Sequence, residues 1–305
     1  MSLLLDAKFW FSVLRSMTPV LLAALGACIC RKAGLINIAH EGVMLITALA
    51  GVMGSAYTGS LFAGMLIGVG FGILIEMLMA YFTLVLKSDI VITSVAVNLA
   101  AVGGTVFVMY SAIGDRGVSA KLNSLKFPTV SIPFIKDIPV LGEIFSGHNI
   151  LTYVSLILVI VVYIFLYKTP FGKKIRAVGQ MPDAARSVGI NIRKVQAISF
   201  FICGILVSLG GMFLSMGYMS LFTANMAAGR GYIALAASNM AGGHPIGAFA
   251  GALIYGFSSS LSNYMQNSRA IPLEGILAFP YLFIVTVYCI FCYIERKRNK
   301  EEQEF

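Results

Sequence analysis

Asn37, His40 and Glu41 crowd into the stretch GLINIAHEGVMLI, at the head of an apolar run that continues to about Tyr57. An amide, an imidazole and a carboxylate so close together have the parts of a proton relay, or of a polar contact for a solute. Glu76, Asn98, Asn225, Arg230, Asn239, His244, Asn263 and Glu274 are further polar residues set in apolar surroundings. Metal chemistry is not expected. Cys28, Cys30, Cys203, Cys289 and Cys292 all lie in apolar runs, and the Cys-x-x-Cys at 289–292 has no second pair or histidine cluster to complete a site.

The elements that must position these groups follow from composition. Of 305 residues, 58% are hydrophobic and only 11% charged, with a mean hydropathy of +0.88. Soluble domains run near 25% charged, so this chain takes lipid as its solvent. Apolar runs of roughly 20 residues match a hydrocarbon core about 30 Å thick. Nine candidates occur, at about 9–30, 35–57, 60–86, 90–111, 150–167, 197–221, 231–242, 245–263 and 272–294. The run at 231–242 is short for a crossing and reads as a half-helix or re-entrant piece. No dyad alternation of a barrel strand is present, so an all-α polytopic membrane protein of about 8–10 transmembrane helices is expected. The first run reads as an uncleaved span, since ACICRKAG ends it without a small-x-small site.

The net charge of +9 does not point to nucleic acid, because the basic residues sit between spans. Placing 168–196 in the cytoplasm puts 14 of the 22 Lys and Arg inside, together with the C-terminus. Segment 112–149 then falls outside the membrane on the opposite face. Two features hint at a chain of two related halves. Gly64, Gly68 and Gly72 match Gly243, Gly247 and Gly251 in spacing, each set clearing a helix face, and each half carries a Gly-interrupted polar run of the kind that lines transporter sites.

Glu41 lies seven residues beyond Gly34, about 10 Å along a helix, and a carboxylate at depth costs roughly 2.5–3.5 kcal/mol on insertion scales. It needs a partner. It either caps a broken helix or pairs with Arg31 or Lys32, or else it shapes a solute path. Asn37 divides in the same way between satisfying backbone freed at Gly34 or Gly42 and touching solute. Glu76, Arg230 and Glu274 read as structural or gating groups: Glu76 with a buried partner, and Arg230 facing a vestibule or paired with Glu274.

The loop YKTPFGKKIRAVGQMPDAARSVGINIRKVQAISF is the most informative stretch. Pro182-Asp183 is a helix start, Ala184, Ala185 and Val188 can share one apolar face, and Gly189 supplies a stop. A short amphipathic arm of this kind suits docking into a partner's groove. Asp183-Ala184-Ala185-x-x-x-Gly189 resembles the Glu-Ala-Ala-x-x-x-Gly coupling motif of ABC importer permeases. NIAHEG is similar to the Asn-x-Gly-x-Glu-Gly element of the branch serving branched-chain amino acids, simple sugars and nucleosides, and AAGRGYIALAA with HPIGAFAGALIYG looks most like its nucleoside-uptake subgroup. The resemblance runs from about residue 20 to 290. Ala39, His40, Gln180-Met181 and Gly243-His244-Pro245 depart from the branch's usual residues.

The resemblance implies a single transmembrane permease domain over 1–305, a non-enzymatic subunit of an ATP-driven importer. Its coupling residues would be Arg176, Asp183, Ala184, Ala185 and Gly189. No Gly-x-x-x-x-Gly-Lys-Ser/Thr occurs, so ATP and Mg belong on two ATP-binding subunits or one tandem ATPase. A second, related permease subunit and an extracytoplasmic solute-binding lipoprotein complete the implied assembly. A path for a flat, neutral nucleoside wants amides, hydroxyls and an aromatic, which Asn98, Asn225, Ser258, Asn263 and Tyr264 would supply, with Asn37 and Glu41 as the further candidates for the path. Simple sugars or branched-chain amino acids are the alternative solutes. A different class, an ion-coupled secondary transporter, would use His40, Glu41 and Glu76 as proton carriers.

Overall fold

The computed structural model describes residues 6–131, 141–266 and 273–301. Helices dominate: α1 Ala7–Lys32, α2 His40–Thr58, α3 Leu61–Ala80, α4 Ile90–Ile113, α5 Leu141–Phe145, α6 Ile150–Lys168, α7 Pro170–Gln180, α8 Pro182–Ser187, α9 Ile192–Met212, α10 Arg230–Met240, α11 Pro245–Met265 and α12 Leu273–Glu301. Helices α3 and α9 run on as π-helical stretches, Tyr81–Val85 and Phe213–Met219. The described strands are β1 Thr129–Val130 and β2 His148–Asn149, paired antiparallel.

Helix starts follow local sequence. Asp6, Ser60, Asp89, Asn149, Thr169 and Asn191 each accept a hydrogen bond from a first-turn N–H, the preference expected of short polar side chains at an N-cap. Counting the π-helical continuations, five described helices are long and apolar enough to cross a membrane: Ala7–Lys32, Leu61–Val85, Ile90–Ile113, Ile150–Lys168 and Ile192–Met219. The run at 35–57 becomes helical only at His40, and residues 35–39 form a non-helical break. The short run at 231–242 appears as the 11-residue α10, about 16 Å long and so roughly half a hydrocarbon core.

Helix α1 is apolar all round and correspondingly enclosed, with every residue from Ser16 to Cys30 buried. It packs against α6, α9, α10 and α11, while α2 is held between α3, α4 and α9. By contrast α3, α4 and α6 present Phe62, Leu66, Ile92, Leu99, Ile157 and Ile160 outward, an apolar exterior suited to lipid rather than water. Gly64, Gly68 and Gly72 do bring backbones together, since an added Cβ would meet Ser55, Met212 and Ser208 respectively. Gly243 differs from the expected helix-face role: it lies before α11 with φ +74°, in a left-handed turn.

One end of the bundle gathers Arg31, Lys32, α7 and α8. There Gly34 (φ +76°) and Gly179 touch backbone to backbone, and a Cβ on Gly179 would lie 2.2 Å from the Lys32 carbonyl oxygen. At the opposite end segment 117–127 lies on the end of α9 and the loop after it, through Ser119 N to Phe222 O at 2.9 Å and Phe127 N to Met216 O at 3.0 Å.

Candidate functional site

The α1–α2 break is stitched by side chains from four other places in the chain. Asn37 donates to both oxygens of Glu76, at 3.0 and 2.8 Å, and accepts from Ala39 N at 2.9 Å. Ser94 Oγ takes Ile38 N at 3.2 Å. Asn98 accepts from Gly42 N at 2.8 Å, donates to Ile38 O at 3.0 Å, and donates to the Tyr232 hydroxyl at 3.1 Å. His40 Nε2 lies 3.5 Å from Cys203 Sγ, which in turn donates to Glu76 at 3.8 Å. Buried, unwound backbone needs partners of this sort, because water does not reach it.

Glu41 reaches the other broken element. Its two oxygens accept from Gly229 N at 2.7 Å and Gly231 N at 2.8 Å, at the start of α10. A carboxylate there meets the positive end of a helix dipole and its orphan N–H groups. Glycine is required at 231, where a Cβ would come within 2.4 Å of Glu41 N. At its far end α10 comes to Arg31, which donates to Asn239, and Arg31 and Lys32 flank Gly243. Nearby, Arg176 lies 4.8 Å above the Tyr167 ring, and His244 packs on Tyr163 and Tyr167. A cavity of about 450 Å³ opens here, with Arg31, Asn37, Tyr232 and Asn239 in its wall.

A second cavity, of about 320 Å³, lies towards the other end, between α1, the π-helical end of α9, α10 and α11. Pro19 explains part of its construction. Proline has no N–H, so the carbonyl four residues earlier, that of Arg15, loses its helical donor. The Tyr218 hydroxyl donates to that carbonyl instead, at 3.1 Å, and the Arg15 guanidinium lies 4.4 Å above the Tyr218 ring. Arg230 donates to Met226 O at 3.0 Å and to Ala227 O at 3.3 Å. Asn263 and Ser259 complete the polar wall.

The arm, α8, is closed by Gly189 (φ +82°), with Ile190 N donating to Ala185 O at 3.0 Å and Gly189 N to Arg186 O, a Schellman-type end. Ala185 is 3% exposed and packs into the chain's own core, whereas Met181 and Val188 are 69% and 75% exposed. Ala184 is exposed beside them.

Residues 9–287 match the family described as "Branched-chain amino acid transport system / permease component". The chain belongs to that family of permeases. It is 33% identical to the guanosine ABC transporter permease protein of Bacillus subtilis, over 88% of this chain and 86% of that protein. It is 31% identical to the putative glucose ABC transporter permease protein of Haloferax volcanii (87% and 82%) and 28% identical to a nucleoside ABC transporter permease protein of Lactococcus lactis (90% and 89%). No solved structure is a significant match.

Against the expectations for this permease, the structure rearranges the polar residues. Glu41 and Asn98 use their polar atoms on backbone and on Tyr232, and the partners of Glu41 are amides rather than Arg31 or Lys32. Ser258 is buried and donates to Tyr255 O at 3.0 Å. Asn225 and Tyr264 are exposed, in a left-handed turn and at 55% respectively. Of the seven path candidates, Asn37 lines the first cavity and Asn263 the second. Glu76 is buried with Asn37, and Arg230 faces the second cavity; the side chain of Glu274 lies outside the described residues. The expected apolar face of Ala184, Ala185 and Val188 is corrected: Ala185 points inward, because a six-residue helix must bury something to stay seated, and Met181 takes its place outside. Arg176 sits over Tyr167 rather than on the arm. Hydropathy and spacing do not single out Arg15, Tyr218 and Tyr255. A lone arginine within an apolar run, four residues before a proline, was the available signal.

Proposed function

We propose that this permease carries nucleosides inward across the cell membrane as the channel-forming subunit of an ATP-driven importer. The single observation that carries the solute class is the 33% identity, over most of both chains, to a permease named for guanosine. The 31% identity to a permease named for glucose favours a simple sugar as the second reading.

In this reading α7, α8 and the C-terminus face the cytoplasm, and segment 112–149 faces outward, the orientation that the basic residues between spans favour. Met181, Ala184 and Val188 form the apolar face that enters a groove on an ATP-binding subunit. Asp183 and Gly189 set the start and the stop of that arm, while Ala185 anchors it to the permease. ATP, Mg and their chemistry stay with two such subunits or one tandem ATPase, and this chain hydrolyses nothing. A related second permease and an external solute-binding lipoprotein complete the assembly. Motion of the arm drives alternating access by swinging the helix bundles about the cavities beside α10.

The test is uptake into vesicles holding the whole importer, with labelled inosine, adenosine, glucose and leucine competing. ATP-dependent nucleoside uptake that survives excess glucose and leucine supports the reading. Uptake of glucose with neither nucleoside accumulating would replace it by the sugar reading.

A further inference from the structure

The second cavity holds two cationic donors and no anionic acceptor among its described lining residues. Arg15, Arg230, Tyr218, Tyr255, Ser259 and Asn263 all contribute to its wall, and no described carboxylate lines it. The two arginines differ in what they have left to offer. Arg230 is tied by Nη1 to the Met226 and Ala227 carbonyls. The Arg15 guanidinium lies 4.4 Å above the Tyr218 ring and, among the described residues, has no hydrogen bond to a protein group. Its planar fork is therefore oriented by the ring while its N–H edge stays unused. Tyr218 is itself fixed, because its hydroxyl serves the carbonyl that Pro19 leaves open.

A ligand that fits must bring two acceptors at the spacing of a guanidinium fork. A purine with a carbonyl at C6 does so through O6 and N7, the edge that arginine reads bidentately in nucleic acids. A 6-amino purine offers a donor at the same place and would set N–H against N–H. The volume, about 320 Å³, is at the small end of the roughly 300–1,000 Å³ range of ligand sites.

We propose that Arg15, held on Tyr218, reads the O6/N7 edge of a 6-oxopurine nucleoside in this cavity, so that the permease itself favours 6-oxo over 6-amino purines. The assignment rests on the nucleoside reading above. It is tested in vesicles holding the whole importer, by comparing the concentration dependence of inosine and adenosine uptake for wild type, Arg15→Gln and Arg15→Lys. Wild type should favour inosine. Both variants should lose about tenfold of that preference, the size of one good bidentate contact, mainly through a raised KM for inosine. Arg15→Lys keeps the charge and the stem, so it also covers the case in which Arg15→Gln does not assemble. A lysine variant with wild-type preference would overturn the assignment, since the site would then read charge alone. Equal losses for both nucleosides would overturn it too. If wild type moves glucose or leucine and neither nucleoside, the solute class falls first and this assignment with it.

Discussion

Removing the Glu41 carboxylate separates two effects that the structure combines. Its oxygens accept from Gly229 N and Gly231 N, and each buried N–H left without a partner costs about 1–3 kcal/mol. Glu41→Ala orphans both donors, a gross loss of about 2–6 kcal/mol, partly offset because a costly intramembrane charge disappears. Glu41→Gln loses the same charge but retains one acceptor oxygen, so the comparison of the two variants is free of that offset. Alanine should be less stable than glutamine by about 1–3 kcal/mol, measured by equilibrium unfolding of the full chain in mixed micelles. Gly231→Ala adds a second arm to the experiment. A Cβ 2.4 Å from Glu41 N must push α10 away from the carboxylate, so Glu41→Gln should cost less in that background, with a coupling of at least ~0.5 kcal/mol. Equal stability of the alanine and glutamine variants, with additive behaviour in the cycle, would refute the capping argument.

Four further outcomes are expected. Val188→Glu should abolish ATP-driven uptake while unfolding stability stays within ~0.5 kcal/mol of wild type, as for an exposed position; Ala185→Arg should also abolish uptake but by unseating the arm, visible as protease cleavage within 181–190. Asn37→Leu removes the donor to both Glu76 oxygens and the acceptor of Ala39 N and should destabilise by at least about 1–3 kcal/mol, a loss that Glu76→Leu in the same chain reverses in part; undiminished stability of Asn37→Leu would contradict the pairing. Tyr218→Phe orphans the Arg15 carbonyl and should cost about 1–3 kcal/mol, but much less beside Pro19→Ala, where the helix recovers its own donor; the same cost in both backgrounds would show that the hydroxyl serves another purpose.

Much of the fold was legible because lipid imposes a strong rule on sequence: runs long enough to cross must be apolar, and their ends must be charged or capped. The half-length of 231–242 and the Pro–Asp start and Gly stop of the arm are local signals, and local signals survive in a single chain. Pairing is not local. Glu41 finds its partners nearly 190 residues away, and Asn37 meets Glu76 across 39, distances over which hydropathy carries no information. The same blindness explains the arm. Periodicity places Ala184, Ala185 and Val188 near one face, but which residue turns inward depends on what α8 rests on. Arg15 is hidden from hydropathy for a related reason. One charge barely alters the mean hydropathy of its run, and its meaning appears only when Pro19 and Tyr218 are seen together.

The most direct test of the central claim is nucleoside accumulation in sealed vesicles containing this permease with its partner permease and binding protein, with the ATP-binding subunits either present or withheld. Accumulation should require those subunits and ATP, persist when the proton gradient is collapsed, and vanish with Val188→Glu in the arm. Concentrative uptake by the permease alone, or uptake lost on collapsing the proton gradient while ATP is plentiful, would contradict it.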